Sequence, residues 1–262
     1  MKKFLLTTGV CALFLISASL QAQTAIIFGP EAGVNFSKVK VTDDFDYMDK
    51  YSRTLRLQGG LNVGVQFGMW GVTTGVKFNQ KGGKATLERR DPNNPFVFMD
   101  DQGNLITDVG EITLKESTNW LSVPLLARAQ FGDGPLKFGL SIGPQFNFGI
   151  GKLKNEIEYN LTVTNPPDEE ETSKYGKSAL ETYKPMHLSL VINPSIWYDI
   201  SPNGSIKFGV MFETGSDMVN ENYLVSDGAG NARKVNATAK ASAIGVMIGY
   251  EHRFDINVGV KY

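Results

Sequence analysis

Cysteine is nearly absent from this sequence of 262 residues, and Cys11 is its single example. Cys11 lies in an apolar N-terminal stretch, and removal of that stretch would leave a chain with no thiol. Such a chain has no disulfide bond, no thiol nucleophile and no cysteine-bound metal. Thr8, Gly9 and Val10 precede Cys11 and do not resemble the segment before a lipid-anchored cysteine, so a lipoprotein anchor is not expected.

An excess of either charge is also lacking, and histidine is rare. Lysine and arginine together number 26, aspartate and glutamate 27, and histidine 2. Without Lys2 and Lys3 the balance becomes 24 minus 27, or minus three. A nucleic-acid partner is therefore not expected, because such a partner requires a basic surface.

The N-terminus has the three parts of a secretory signal peptide. Lys2 and Lys3 form a basic head, residues 4–16 are apolar but too few to span a bilayer, and small residues follow up to Ala22. We expect cleavage after Ala22, which makes residues 1–22 the signal peptide and residues 23–262 the mature domain. Leu20 is larger than the small residue preferred at its position, so a cut one or two residues away stays open.

Long apolar runs are absent from the rest of the chain, where a membrane helix would need about 20 such residues. A membrane location would therefore require strands, in which successive side chains face lipid and lumen alternately. Residues 55–69 and 136–151 alternate almost without exception, whereas a helix would distribute the apolar residues around its circumference. Weaker alternation occurs in six further segments: Phe28–Phe36, Val72–Phe78, Leu121–Phe131, Met186–Ile200, Ile206–Phe212 and Ile244–Tyr250.

These eight segments predict an all-β fold, an eight-stranded antiparallel transmembrane β-barrel. Residues 69–71, 132–135 and 201–204 predict short periplasmic turns, and long polar stretches at about 40–54, 81–116, 153–184 and 216–240 predict extracellular loops. A soluble β-sandwich or lipocalin-like barrel would also alternate. The polar positions here are rich in glycine, which is costly on a solvent-facing strand, and this favours the membrane barrel.

Three segments carry a family resemblance. Trp120–Arg128 (WLSVPLLAR) resembles the central strand of the PorT-like outer-membrane β-barrel family of Bacteroidetes, whose members have a Leu-x-Ile/Val-Pro-Leu-Leu-x-Lys/Arg segment. Residues 29–37 resemble the first strand of that family, and residues 138–144 the strand after the Pro-Leu-Leu segment. The resemblance implies an outer-membrane barrel. One founding member is associated with type IX secretion and gliding, but the family offers no catalytic residue to transfer, and likeness of fold does not fix function.

The end of the chain permits two interpretations. A last strand from Ile244 to Phe254 would leave a periplasmic tail, and we prefer this interpretation. Alternatively, residues 255–262 continue the alternation after a register shift, and Tyr262 is the true end of the strand.

Charged residues on the inward side of the predicted strands could carry chemistry. An eight-stranded barrel is so narrow that side chains fill it, and unpaired charges inside it are expensive. We therefore predict a plug of ion pairs rather than a conducting pore. The inward charges are Glu31, Arg56, Lys77, Arg128, Lys137, Asp199, Lys207, Glu213 and Glu251.

A catalytic triad is the enzyme hypothesis to consider. His187, Ser189 and Asp199 share the inward side of one strand, but twelve residues at about 3.3 Å each separate His187 from Asp199 by roughly 40 Å. His252, the other histidine, is assigned to the lipid side. The acidic run at residues 168–171 lacks the spacing of a calcium loop and, like Asp43, Asp44, Asp46 and Asp49, is interpreted as solvated. No catalytic, cofactor or metal site is predicted.

Aromatic girdles at the membrane interfaces account for several tryptophans and tyrosines near strand ends, a group that includes Trp70, Trp120, Trp197, Tyr198 and Tyr250.

The sequence thus favours an outer-membrane barrel with a structural or interaction role. A small-solute channel is the alternative, and an outer-membrane hydrolase is a third. Outer-membrane lipid is the expected partner, and other envelope or secretion proteins are further candidates.

Overall fold

The chain folds into eight long strands. The computed structural model describes residues 24–42, 50–91, 93, 96–99, 105–161, 169–174, 184–218, 224–226, 232–234 and 238–256. The predicted signal peptide, Asp43, Asp44, Asp46, Asp49 and Asp168 lie outside these residues. The long strands are β1 (Thr24–Thr42), β2 (Thr54–Phe67), β3 (Trp70–Arg89), β4 (Gly110–Phe131), β5 (Leu136–Leu161), β6 (Met186–Ser201), β7 (Gly204–Asp217) and β8 (Thr238–Ile256).

The eight strands close into a ring. Each strand pairs antiparallel with the next along the chain, and β8 pairs with β1 from Ile256↔Thr24 to Thr238↔Thr42. Every strand of the ring therefore has a neighbour on both sides, which removes the sheet edges that a bilayer does not tolerate. The predicted eight-stranded antiparallel barrel is confirmed. Among the residues that the structure describes, no helix is long and apolar enough to cross a membrane.

The apolar side of each strand faces outward. On β2, Leu57 and Leu61 are 60% and 52% exposed, whereas Gln58 and Gln66 are 6% and 2% exposed. A water-soluble β-sandwich or lipocalin-like barrel would bury the leucines and expose the glutamines, so this arrangement excludes it. Along β1 the exposed apolar band runs from Ile26 to Phe36, about 33 Å along the strand and about 25 Å in height at a tilt of about 40°, which matches the apolar core of an outer membrane.

The short connections lie together at one end of the barrel. They occupy residues 68–69, 132–135 and 202–203. The first turn lies one residue earlier than predicted, because Trp70 already belongs to β3. Gly68 has a φ of 57°, a left-handed conformation that a residue with a Cβ rarely adopts, so the glycine sets the position of this turn.

The predicted loops are wrong over part of their length. β3, β4 and β5 have 20, 22 and 26 residues, although about 9 to 11 suffice to cross a membrane. Their upper ends pair with one another from Arg89↔Gly110 and Gly110↔Leu161 downward. We call residues 82–89, 110–117 and 152–161 the outer sheet. Outside the bilayer the outward face of a strand meets water and carries polar or charged side chains, so the alternation becomes short and weak although the backbone ladder continues.

Short strands extend the outer sheet or form hairpins beside it. Lys50–Ser52 pairs with β3, and Glu169–Lys174 pairs with β5. Two hairpins are formed by Phe96–Met99 with Leu105–Asp108, and by Leu224–Ser226 with Ala232–Lys234.

The last strand ends two residues beyond the position we preferred. β8 continues through Phe254 to Ile256, which pairs with Thr24 of β1. The start of β1 and the end of β8 therefore lie at the same level of the barrel. Residues 257–262, including Tyr262, lie outside the described residues.

Candidate functional site

The periplasmic half of the lumen holds three ion-pair groups among the described residues. Glu31 of β1 forms ion pairs with two lysines, Lys77 of β3 and Lys207 of β7, and the Lys207 Nζ lies 3.3 Å from its carboxylate. The Glu31 side chain is only 2% exposed. Two ammonium groups therefore neutralise a carboxylate that water reaches poorly, which is the arrangement that a buried charge requires.

Arg128 and Glu251 form the second group. The guanidinium of Arg128 donates to both carboxylate oxygens of Glu251, at 2.8 and 2.7 Å. Trp197 donates its indole N–H to the same carboxylate at 3.3 Å, and its ring centroid lies 4.4 Å from the Arg128 guanidinium carbon. A bidentate pair with a stacked ring fixes the orientation of the Arg128 and Glu251 side chains and also neutralises their charges. The indole packs against Gly139, where a Cβ would lie 2.9 Å from the Trp197 ring.

Lys137 and Asp199 pair near the periplasmic turns. The Lys137 Nζ lies 2.5 Å from one Asp199 oxygen, and the Ser205 hydroxyl donates to the other at 2.6 Å. These side chains are about a quarter exposed. They close the lumen at its wetter end.

The outer half of the lumen is centred on Glu213 of β7. Lys81 of β3 forms an ion pair with this carboxylate, and both side chains are 2% exposed or less. The amides of Gln145 and Asn79 also donate to Glu213, at 3.2 and 3.3 Å. His187 lies 3.4 Å from the Lys81 ammonium.

Between the two halves lies an apolar layer. Leu126, Val191, Met211 and Met247 pack together, each 6% exposed or less. On β7, Met211 comes between Lys207 and Glu213, so the layer separates the periplasmic ion pairs from the outer one. We use the name apolar layer for these four residues.

Two cavities among these described groups each have room for only about one or two water molecules. One of about 20 Å³ lies between the apolar layer and the periplasmic ion pairs, and one of about 30 Å³ lies beside Arg128, Lys137 and Asp199. A water molecule needs a cavity volume of about 10 to 15 Å³. The lumen between the two charged halves is therefore filled by side chains.

The predicted inward charges are found inside the barrel, and eight of the nine pair as expected. Arg56 is the exception. It takes no part in the ion pairs described above, and its guanidinium donates to the backbone oxygen of Glu116 at 2.7 Å. Lys81 is not among the predicted inward charges, because it fell in a predicted loop that is in fact the upper part of β3. The apolar layer was not predicted either, although its members stand on the inward positions of their strands and parity could have identified them.

Two tryptophans are not where the girdle interpretation placed them. Trp120 and Trp197 are 0% exposed and point into the lumen, where Trp120 meets the His187 ring edge-on with centroids 4.6 Å apart. Trp70, Tyr198 and Tyr250 are exposed near strand ends as predicted. The inward tryptophans occupy volume that a narrow lumen would otherwise leave to water.

The structure does not assemble a triad from His187, Ser189 and Asp199. Ser189 accepts a hydrogen bond from Asn147 at 2.8 Å, His187 contacts Lys81 and Trp120, and Asp199 binds Lys137 and Ser205 at the other end of β6. His252 lies on the outer side, with its ring 4.5 Å from that of Phe254. In the described part of the chain no group of three or more potential ligands could hold a metal ion.

Comparisons with known proteins found a matching family model and several solved structures of low similarity. Residues 21–258 match the family model of the outer membrane protein beta-barrel domain. No curated protein matches the sequence. Among solved structures, OprG from Pseudomonas aeruginosa is 12% identical with a TM-score of 0.44, and covers 90% of this chain and 97% of its own.

Two further structures are similar at the same low level. Ail of Yersinia pestis, solved with the heparin analogue sucrose octasulfate, is 13% identical with a TM-score of 0.37, covering 87% of this chain and 99% of its own. Neisserial surface protein A is 9% identical with a TM-score of 0.36, covering 87% and 97%. The family match spans the whole described barrel, and the chain belongs to the family of outer membrane proteins with a β-barrel domain, located in the cell outer membrane.

Proposed function

We propose that this protein is a sealed outer-membrane barrel with a structural or interaction role and no catalytic activity. The observation that carries the proposal is the filling of the lumen by two charged layers with an apolar layer between them. To open a path for ions, several buried pairs would have to separate. Separation of one such pair costs about 3 to 5 kcal/mol, so a resting barrel stays closed.

The outer sheet supports the interaction role. From Leu121, the exposed leucine nearest the outer end of β4, to Gly110 the strand extends about 36 Å along its length, or about 28 Å in height at a tilt of about 40°, well beyond the acyl chains. Its outward face carries balanced ion pairs, such as Lys115 with Glu156 and Glu158, and Lys84 with Glu111. A stiff, hydrated sheet of this height presents a surface that a partner outside the cell can reach.

The finer assignment to the PorT-like proteins of Bacteroidetes is part of this proposal. The resembling segment WLSVPLLAR lies on β4, and its inward residues contribute to each layer of the lumen. Trp120 packs on His187, Leu126 belongs to the apolar layer, and Arg128 pairs with Glu251. Leu126 and Arg128 occupy the last Leu and the Lys/Arg position of the family segment, so the motif positions supply the apolar layer and one periplasmic ion pair. Partners among envelope or secretion proteins would then meet the barrel at its loops or its periplasmic turns.

Conductance tests the sealed lumen. We expect the refolded protein, shown to be folded by a gel mobility that changes on boiling, to give no stable conductance steps of porin size in planar bilayers. An open porin refolded in the same way is the positive control. Reproducible porin-sized steps from the folded protein would contradict the proposal and favour the small-solute channel.

A further inference from the structure

Four cationic side chains stand on the lipid-facing side of the barrel at its outer end. Lys38 and Lys40 belong to β1 and lie on the same side as Phe36, and Lys240 of β8 lies on the same side as Ile244. Arg53 precedes β2 and donates hydrogen bonds across β1, to the backbone oxygens of Phe36 and Ser242 at 2.9 and 3.4 Å. We call these four residues the cationic cluster.

The depth of the cluster matches the lipid head groups. Phe36 pairs with Ile244 in register, and both are exposed at the upper limit of the apolar band. Lys38 lies two residues and Lys40 four residues above Phe36, or about 7 and 13 Å along the strand. With the strand tilt of a barrel this is about 5 to 10 Å above the acyl chains, within the head-group layer.

The charges of the cluster are not balanced by the described protein. Lys40 and Lys240 are direct register partners, and like charges in such positions repel. Asp217, the neighbour of Lys240 on β7, instead accepts a hydrogen bond from the Ala239 amide and pairs with Lys184. Among the described residues, no carboxylate lies in ion-pair distance of the cluster. Cations in the outer sheet and directly beside it differ, since Lys84, Arg90 and Lys115 each have a glutamate partner.

The cluster lies on β8, β1 and the residue before β2. On the neighbouring strands β3 and β4, the outward positions directly above the apolar band carry no charge, namely Gln80, Ser117 and Asn119. Just before β6, Lys184 stands two residues above the exposed Met186, but it pairs with Asp217. The cluster therefore differs from Lys184 in having no carboxylate partner among the described residues.

We propose that the cationic cluster binds the phosphate groups of a phosphorylated glycolipid of the outer leaflet. Exposed apolar side chains continue directly below the cations, namely Phe36, Leu55, Leu57, Ile244 and Val246. Phosphates between the lysines relieve the repulsion of Lys40 and Lys240, and the acyl chains cover the apolar strip. The ligand is therefore both anionic and acylated. The proposal rests on the outer-membrane location and not on the sealed lumen, which the outward substitutions below leave intact.

Binding of bis-phosphorylated lipid A to the full mature chain in neutral detergent micelles tests this proposal. Native mass spectrometry counts the retained lipid for the wild type and for the triple variant K38Q/K40Q/K240Q. Each lysine near a lipid phosphate contributes a factor of about five, so we expect affinity to fall about 100-fold. The variant K38R/K40R/K240R keeps the charges and should retain binding. The variant K84Q/R90Q/K115Q removes three cations that already have partners and should bind like the wild type.

Two further ligands separate the sources of the phosphate. Lipid A without its phosphates should bind as weakly to the wild type as intact lipid A does to the triple glutamine variant, and inorganic pyrophosphate should compete poorly. Equal binding of lipid A by wild type and K38Q/K40Q/K240Q would overturn the proposal. A melting temperature of K38Q/K40Q/K240Q below that of the wild type in lipid-free detergent would also overturn the proposal. Such a result would indicate that loop carboxylates such as Asp43 and Asp44 are the partners of the cluster.

Discussion

At the scale of single residues, the lumen shows how a membrane barrel accommodates charge. Lys81 and Glu213 lie in the outer half, almost out of reach of water, and two amides complete the coordination of the carboxylate. Each charge is tolerable only because the other is present. Loss of one partner is therefore much more damaging than loss of both.

Glu213→Gln should lower the free energy of unfolding by about 3 to 5 kcal/mol, because it leaves the Lys81 ammonium buried without its carboxylate. The double variant Lys81→Met with Glu213→Leu should recover most of this loss, since it removes both charges and keeps apolar volume. Urea unfolding in detergent, followed by tryptophan fluorescence, measures all three proteins. A double variant that is less stable than Glu213→Gln would contradict the buried-pair account.

Most of the lumen could be predicted from the sequence because strand parity assigns each side chain to one side. Glu31, Arg128 and Glu251 were placed inside by parity alone, and the need to neutralise charge predicted their pairing. Parity does not say which carboxylate meets which cation, since that depends on the stagger of strands distant in sequence. Lys81 could not be placed at all, because the alternation that marks β3 stops near Phe78.

At the scale of elements, the outer sheet marks the limit of sequence patterns. Residues 82–89 and 110–117 carry only a short alternation, in which Leu87 of β3 and Ile112 and Leu114 of β4 lie on one side, so a period of two is easily missed in them. The backbone ladder nevertheless continues for several residues beyond the membrane, from Gly82↔Ser117 to Arg89↔Gly110. Chain connectivity explains this, because a paired strand that leaves the bilayer loses its lipid contacts but keeps its neighbour.

Amide hydrogen exchange distinguishes a paired outer sheet from loops. We expect peptides that cover residues 110–117 of β4 to be protected for minutes or longer, because their amides are hydrogen-bonded to β3 and β5. Peptides from residues 121–131 of the same strand provide the membrane-embedded reference. If residues 110–117 exchange completely at the first time point, while the reference stays protected, the outer sheet is not formed in solution.

At the scale of the whole molecule, closure of the ring depends on the pairing of β1 with β8, the first and last strands of the barrel. Seventeen register pairs join the two strands over most of their length. Lipid then contacts a continuous apolar surface, and the lumen becomes a separate compartment that ion pairs and the apolar layer can fill. Without this seam the charges of Glu31 and Glu251 would face the bilayer.

Engineered cysteines test the seam directly, since the chain without residues 1–22 has no cysteine of its own. Val39 and Ala241 are register partners, buried on the inner side of β1 and β8. Paired residues of adjacent strands have Cα atoms about 4.5 to 5.5 Å apart, a separation that a disulfide spans. V39C/A241C should therefore crosslink on mild oxidation of the folded barrel, and the boiled, unreduced chain should migrate faster than the reduced one.

The control variant V39C/M247C places the second cysteine about 20 Å further along the strand and should not crosslink. Equal crosslinking of the two variants would mean that β1 and β8 do not meet in this register, and the closed ring would have to be abandoned.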